Sequence, residues 1–487
     1  MKRGLASLVI FASATAFAGE PKYQKPEVNT PKNWQAPSPW REAAPKDSLA
    51  KGTWWTLFGD SELNEYEQRA LASNQTLKAA VARLAEARSF ARIATASFYP
   101  QLRVNPSAER QRLSGNRASV GGASPTTPVT QNIFQIPFDL NYEVDLFGRV
   151  RRSVEAANVT YQASAADLEN VRLTITAEVA ADFFQLRELD AEMGVVRKAI
   201  DYEQKGLQVV ENRHSGGAAS GLDVAQQQTV LNASQAQLSL LQQQRDQFQH
   251  ALAALQGLPA SSFIAPVRPL DAEPPAVPML LPSELLERRP DVAEAERNAA
   301  AANARIGVAR AALFPSIGLG GSAGWESRSL PSLLNVSSTF WSLGISALQP
   351  ILNGGRNRAA VENARAAYEE LAANYRESAL VAFQQVEDAL SSLNALSTAS
   401  SWQQQAVEAA SRALTLANAR YSGGLVTYLD VITAQEQLLT NERLATQLRG
   451  QRLVSSVLLV KALGGGWDSA SLAAVGIKPS VKQALQP

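Results

Sequence analysis

Histidine, cysteine and clustered carboxylates are the residue types that most often carry catalysis or hold a metal. This sequence is nearly empty of the first two: 487 residues contain no cysteine and two histidines, His214 and His250. Without cysteine there is no thiolate nucleophile, no cysteine-ligated zinc or iron–sulfur cluster and no disulfide. The histidines lie too far apart for the i, i+4 pair of a helical zinc site. A Ser-His-Asp triad would have to use one of them, and neither stands near a plausible nucleophile. The run Gly318-Leu319-Gly320-Gly321-Ser322-Ala323-Gly324 superficially matches a nucleotide loop, but no Gly-Lys-Ser/Thr follows it. Its small residues alternate as in a strand and are expected to face an interior. The expected inventory is no catalytic residue, no cofactor and no metal. With 46 basic and 45 acidic residues, nothing provides the clustered Lys and Arg of a nucleic-acid partner.

The carboxylates that stand out do so by period. Asp139, Asn141, Glu143 and Asp145 alternate with Phe138, Leu140, Tyr142, Val144 and Leu146. A period of two puts the polar set on one face of a strand and the apolar set on the other. The same alternation occurs at Leu102 and Val104 against Arg103 and Asn105. It recurs at Ile317, Leu319, Ala323 and Trp325, and at Trp341, Leu343, Ile345 and Ala347. Four strands of about 9–11 residues are expected, the length of a tilted membrane-spanning strand. Alternation alone fits a half-buried soluble sheet equally well. Aromatics near the strand ends (Tyr99, Phe134, Phe147, Phe314, Trp325, Phe340, Trp341) resemble interfacial girdles and favour the membrane. So does the start of the chain, where Lys2 and Arg3 precede an apolar run ending in Ala16-Phe17-Ala18. That pattern reads as an export signal over 1–18.

The elements that must carry these strands follow from proline. None occurs from Phe138 to Leu258 or from Ile351 to Lys478, whereas 21–45 and 259–290 are rich in it. Proline breaks helix interiors, so the two Pro-free, Ala/Gln/Leu/Glu-rich stretches predict two long helical regions. From Arg356 to Ser422 there is neither Gly nor Pro over 67 residues, enough for a helix of roughly 100 Å. The halves are copies. At an offset of 207, Gly148-Arg149 falls on Gly355-Arg356, and Arg213, Ser215, Gly216, Gly217, Leu222 and Asp223 fall on Arg420, Ser422, Gly423, Gly424, Leu429 and Asp430. Each unit reads as helix, hairpin, long helix, tight turn, helix. In the return helix Leu231, Leu238, Leu241, Phe248, Leu252 and Leu255 follow coiled-coil spacing.

The expected divisions are an extended arm and belt over 19–60 and a first repeat over 61–258. That repeat holds a hairpin 101–147, a long helix 149–213, a tip 213–222 and a return helix 223–257. A Pro-rich linker over 259–283 follows. The second repeat, 284–464, holds a hairpin 316–352, a long helix 356–421, a tip 421–428 and a return helix 429–463. A tail over 465–487 closes the chain. Four strands cannot close a barrel, and open edges cannot sit in lipid. Two chains would give eight strands, and three would give twelve and an open lumen.

Several motifs resemble the TolC-like outer-membrane factors, and most closely the NodT-type channels of resistance-nodulation-division efflux systems. They are YEVDLFGRVRRS from Tyr142, EVAADFFQLRELD from Glu178, ERRPDVAEAERNAAAANARIGVARAALFPSI from Glu287, LNGGRNRA from Leu352 and RYSGGLVTYLDVITAQ from Arg420. The resemblance covers about Tyr23 to Leu463. It implies a mixed α and β membrane protein. Three chains would share a twelve-stranded outer-membrane barrel continuous with a twelve-helix periplasmic barrel. The implied function is a passive, gated duct for small molecules, with outer-membrane lipid around it. The implied partners are a periplasmic adaptor (membrane fusion) protein and an inner-membrane transporter of the resistance-nodulation-division class. By matching position, Leu429 constricts the lumen, with Tyr421, Asp430 and Asp223 in gating contacts. Relatives often carry an acid where this chain has Thr433, whose repeat partner is Gln226; both are counted among the expected gate residues. The turns at Gly216, Gly217, Gly423 and Gly424 are expected to meet the adaptor, and Asp139, Asn141, Glu143 and Asp145 to face the lumen. Ser220-x-x-Asp223 and Thr427-x-x-Asp430 also read as helix capping motifs, so capping and gating both stand for the two aspartates. Relatives often carry a lipid-attached cysteine before the Pro-x-Tyr-x-x-Pro stretch present here at 21–26, and this chain has none. A type I protein-secretion conduit and an exported coiled-coil scaffold or adhesion protein are the alternatives.

Overall fold

The computed structural model describes residues 23–31, 34, 53–115, 127–275, 282–467, 472 and 475. The expected export signal, and most of the arm and tail, lie outside the described residues.

Among the described residues eight α-helices and five strands alternate in two units, in the order α1 (Ser61–Ser73), α2 (Gln75–Ala96), β1 (Gln101–Val104), β2 (Ser107–Leu113), β3 (Val129–Val144), α3 (Arg149–Ser215) and α4 (Gly221–Leu255). The second unit follows as α5 (Pro282–Arg288), α6 (Pro290–Ala311), β4 (Ser316–Ser327), β5 (Thr339–Leu348), α7 (Arg356–Ser422) and α8 (Tyr428–Ala462). The two long helices have the same length, 67 residues, as do the return helices α4 and α8, 35 residues each. At 1.5 Å per residue α3 and α7 run about 100 Å. On the sheet side the lateral order is α2, α3, α6, α7; on the far side it is α4, α3, α8, α7. The long helices therefore thread through both halves while the shorter ones exchange partners midway. No helix among the described residues is long and apolar enough to cross a membrane.

The exchange point holds the main core. The middle of α3 contributes Ile175, Phe183, Phe184 and Leu186, and α7 contributes Val386 and Leu390. Around them pack Trp54, Trp55 and Phe58 of a short 3-10 turn, Leu63 and Tyr66 of α1, and Leu453 and Leu459 of α8, all buried. The Trp54 indole N–H donates to the Thr176 hydroxyl at 3.2 Å. The C-terminal segment reaches the upper helices: the Val475 carbonyl accepts from Gln162, and Leu472 packs with Ala166 and Ala293.

The strands form one antiparallel sheet in the order β1/β2, β3, β4, β5. The sequence leads one to expect four strands of near-equal length. Instead β3 has 16 residues, and the first strand is split into β1 and β2, both paired with β3. The split falls at Asn105-Pro106, beside Pro137 of β3. Both prolines lack the N–H that a ladder needs, so pairing lapses there. Register puts Val104, Phe138, Ala323 and Trp341 in one row across the sheet, with Leu102, Leu140, Gly321 and Leu343 in the next on the same face. The other face carries Arg103, Asp139 and Ser322. From Phe134 to Val144 the apolar row of β3 spans about 25 Å once a barrel-like tilt is allowed for.

Candidate functional site

Two helical turns end the long helices, and both are built alike. α3 ends where Ala218 N–H donates to the Arg213 carbonyl at 2.7 Å and Gly217 N–H to the His214 carbonyl at 2.9 Å. α7 ends where Leu425 N–H donates to the Arg420 carbonyl at 2.9 Å and Gly424 N–H to the Tyr421 carbonyl at 3.0 Å. Gly217 and Gly424 have φ of +73° and +70°, a conformation that favours glycine and closes a helix with crossed terminal hydrogen bonds. The His214 ring shares a 2.9 Å hydrogen bond with the Ala219 carbonyl, inside the turn.

The return helices begin with reciprocal caps. Ser220 N–H donates to Asp223 Oδ2 at 2.9 Å and Asp223 N–H donates to Ser220 Oγ at 3.2 Å. Thr427 N–H and Oγ1–H donate to Asp430 Oδ2 at 3.0 and 2.7 Å. Each aspartate thus satisfies backbone groups at a helix N-terminus, where a negative charge is also favoured by the helix dipole. Leu429, Asp430 and Thr433 all stand exposed, and the Thr433 hydroxyl donates to the Leu429 carbonyl at 2.9 Å. Gln226 is half-buried. Tyr421 is held from two sides: Arg213 lies over its ring at 4.6 Å, and the Tyr428 ring stands 5.0 Å away.

Behind these residues lies a small core of Val210, Val230, Tyr428, Val431 and Ile432. It contains a polar chain that sequence reading missed. The Tyr428 hydroxyl of α8 donates to Gln227 Oε1 at 2.9 Å; Gln227 Nε2 donates to the Glu203 carbonyl at 2.9 Å; and Ser234 Oγ donates to Glu203 Oε1 at 3.0 Å. Glu203 Oε2 is buried without a partner among the described residues. Burial pushes the Glu203 carboxyl up to about 7, opposed by the Ser234 hydrogen bond and reinforced by Glu436. A side chain at Gly206 would meet the Tyr428 hydroxyl at 3.0 Å, so glycine makes room for this link. One signal was available: Glu203 sits at helical spacing from Val196, Ile200 and Val210, all on the packed face of α3.

A second missed cluster lies at the helix exchange. Arg187 donates to Glu62 Oε2 at 2.5 Å and to Asp190 Oδ2 at 2.9 Å, and Arg245 donates to Asp190 Oδ1 at 2.6 Å. Tyr66 donates to Glu62 Oε1 at 2.6 Å, and the Pro266 and Ala265 carbonyls accept from Arg187 and Arg245. Four buried charges from α1, α3 and α4 thus neutralise one another and tie down the linker after α4.

At the sheet, Asp139 accepts from the Ser322 hydroxyl at 2.7 Å, Asn141 pairs in register with Gln101 and Gly320, and Glu143 pairs with Arg149. Asp145 differs from the expectation. β3 ends at Val144, and the Asp145 carboxylate accepts from the Val150 and Arg151 N–H groups at 3.1 and 2.9 Å. It caps α3, whose first N–H groups lack intrahelical partners, and is not a strand residue.

Comparisons with known proteins agree with this architecture. The family model described as outer membrane efflux protein matches residues 67–258 and 281–465. The pyoverdine export outer membrane protein OpmQ of Pseudomonas aeruginosa is 39% identical over 437 residues, covering 89% of this chain and 92% of OpmQ. Among solved structures, the outer-membrane channel OprN is similar with a TM-score of 0.85 at 27% identity, covering 92% of this chain and 99% of OprN. The outer membrane protein VceC of Vibrio cholerae is similar with a TM-score of 0.79 at 30% identity, covering 85% and 99%. With both repeats matched by the family model and a relative this similar along most of its length, the chain belongs to the outer membrane efflux protein family: it is an outer-membrane efflux channel protein of the Gram-negative type, its long helices on the periplasmic side.

Proposed function

We propose that three copies of this chain form the exit duct of a tripartite efflux pump. The observation that carries the reading is the open sheet. It is apolar on one face and polar on the other, and among the described residues both edge strands, β1/β2 and β5, lack a second neighbour. In lipid those edges must be paired; three sheets of four strands make a twelve-stranded barrel wide enough for a lumen. The edge helices, α2 and α7 on the sheet side and α4 and α7 on the far side, pair with those of the neighbouring copies and close a twelve-helix barrel below it. Asp139, Asn141 and Glu143 then face the lumen.

The tips form the gate in this reading. Leu429, with Thr433 one turn on, points away from the tip core and constricts the lumen when three copies meet. The links from Tyr428 to Gln227 and from Arg213 to Tyr421 hold the α7–α8 pair against the α3–α4 pair in the closed arrangement. A periplasmic adaptor engages the Gly216-Gly217 and Gly423-Gly424 turns and shifts this packing, and an inner-membrane transporter of the resistance-nodulation-division class supplies the energy. The cargo class is small organic molecules, in keeping with the pyoverdine named for the 39% identical relative. The test is single-channel recording of the detergent-purified protein in planar bilayers, with unheated gel migration as the measure of assembly. A slowly migrating oligomer with a small, rarely opening conductance is expected. A water-soluble monomer without conductance overturns the reading.

A further inference from the structure

We propose that the outward face of the sheet at its extracellular rim, around Arg110 and Arg112, binds the phosphate groups of the glycolipid in the outer leaflet. This rests on the reading above, in which the apolar face of the sheet meets lipid. The rim is the end remote from the helices, since β1 follows α2 directly and β3 leads into α3.

Register fixes the side on which the two arginines stand. Ala108 is opposite Phe134, Arg110 opposite Asn132 and Arg112 opposite Thr130. Opposed residues share a face, so both arginines belong to the row of Phe134, Phe138 and Leu140. They continue that row beyond Phe134 by about 7 and 13 Å along the strand. Trp325 and Trp341 lie on the same face, opposite Ile136 and Ala323. Aromatic rings of this kind mark the boundary between hydrocarbon and headgroups. The arginines therefore stand just outside the hydrocarbon, at headgroup level.

Among the described residues nothing neutralises them. Both are exposed, and among the described residues neither forms an ion pair. The sequence holds no Asp or Glu from Arg110 to Phe138, and none from Ser327 to Val361. The second stretch includes β5, the edge that a neighbouring copy would bring beside β2. The nearest acids, Glu109 and Glu326, belong to the opposite face: Glu109 is opposite Ile133, and Glu326 is opposite Gln135 and accepts from its amide at 2.6 Å. Guanidinium groups match phosphate oxygens two at a time. A phosphorylated lipid fits better than free phosphate, because the aromatic row directly below supplies a surface for acyl chains.

The test uses the full chain purified in detergent and native mass spectrometry of bound lipid. Bisphosphorylated lipid A, dephosphorylated lipid A and inorganic phosphate are added in separate arms. The bisphosphorylated lipid is expected to bind preferentially. Arg110→Gln with Arg112→Gln should weaken it about thirtyfold, the factor that two interfacial arginines supply, and Arg110→Lys with Arg112→Lys should retain most of it. Equal binding of the dephosphorylated lipid overturns the proposal, as does an unaffected glutamine variant or full competition by equimolar inorganic phosphate. Unheated gel migration separates the two levels of the argument. An assembled oligomer with no phosphate preference overturns the arginine assignment alone, and a monomer that needs no detergent overturns the barrel reading beneath it.

Discussion

The Tyr428 hydroxyl donates to Gln227 Oε1 at 2.9 Å, joining the first turn of α8 to α4 across the buried face of α3. It is a buried polar bridge between the two repeats at the tip, beside the Asn418–Tyr202 hydrogen bond at 2.6 Å, and it depends on the missing side chain at Gly206.

Tyr428→Phe removes the donor and leaves Gln227 Oε1 buried. The cost is about 1–3 kcal/mol at the tip, with little effect elsewhere. Hydrogen exchange of 421–435 should quicken, and openings in bilayer recordings should become more frequent. Gly206→Ala should give the same pattern by displacing the hydroxyl.

Glu203 sets a pH dependence. Its carboxyl titrates near 7 in the folded tip against about 4.3 for an unperturbed glutamate, so the folded state holds the proton more tightly. Stability is fully present below the unfolded value, is lost as pH rises toward about 7, and changes little above that. Exchange at the tip, corrected for intrinsic rates, should be faster at pH 8 than at pH 5.5, and Glu203→Gln should flatten the difference.

Leu429→Gly with Thr433→Gly removes two exposed side chains one turn apart on α8. Single-channel conductance should rise and sensitivity to large, normally excluded antibiotics should increase. Conductance unchanged from the parent protein counts against Leu429 as the constriction.

Asp190 faces two buried arginines, Arg187 and Arg245. Asp190→Ala leaves both without their shared partner and should destabilise the fold by about 3–5 kcal/mol, read as a lower unfolding temperature of the purified protein. Combining Asp190→Ala with Arg245→Met should recover part of the loss, because one of the stranded charges is gone.

Leu343 lies in the middle of the apolar row of β5. Leu343→Lys should cost about 2–4 kcal/mol of insertion and lower the yield of assembled protein. Ser342→Lys, one residue away on the polar face, should leave assembly intact.

Much of this architecture was legible in residue order. The absence of proline and the shared offset located α3, α7 and their tips to within two residues, because helix interiors exclude proline whatever packs around them. The capping boxes at Asp223 and Asp430 were legible for the same reason: they are local. What escaped was non-local. The break between β1 and β2 depends on Pro106 falling diagonally across the ladder from Pro137, which only register reveals. Asp145 kept the alternation of β3 while its carboxylate served the next helix. Glu203 looked like one more charge on a long helix until α4 and α8 closed over it.

Among the described residues the sheet ends in two rows of unpaired backbone groups. In the proposed three-chain barrel those rows are paired only between copies, which makes reaching the native state a reaction of higher order than one. Its yield must depend on how many newly exported chains meet before proteases or off-pathway strand pairing remove them. Expression level, and not residue identity alone, then decides how much working protein a cell obtains.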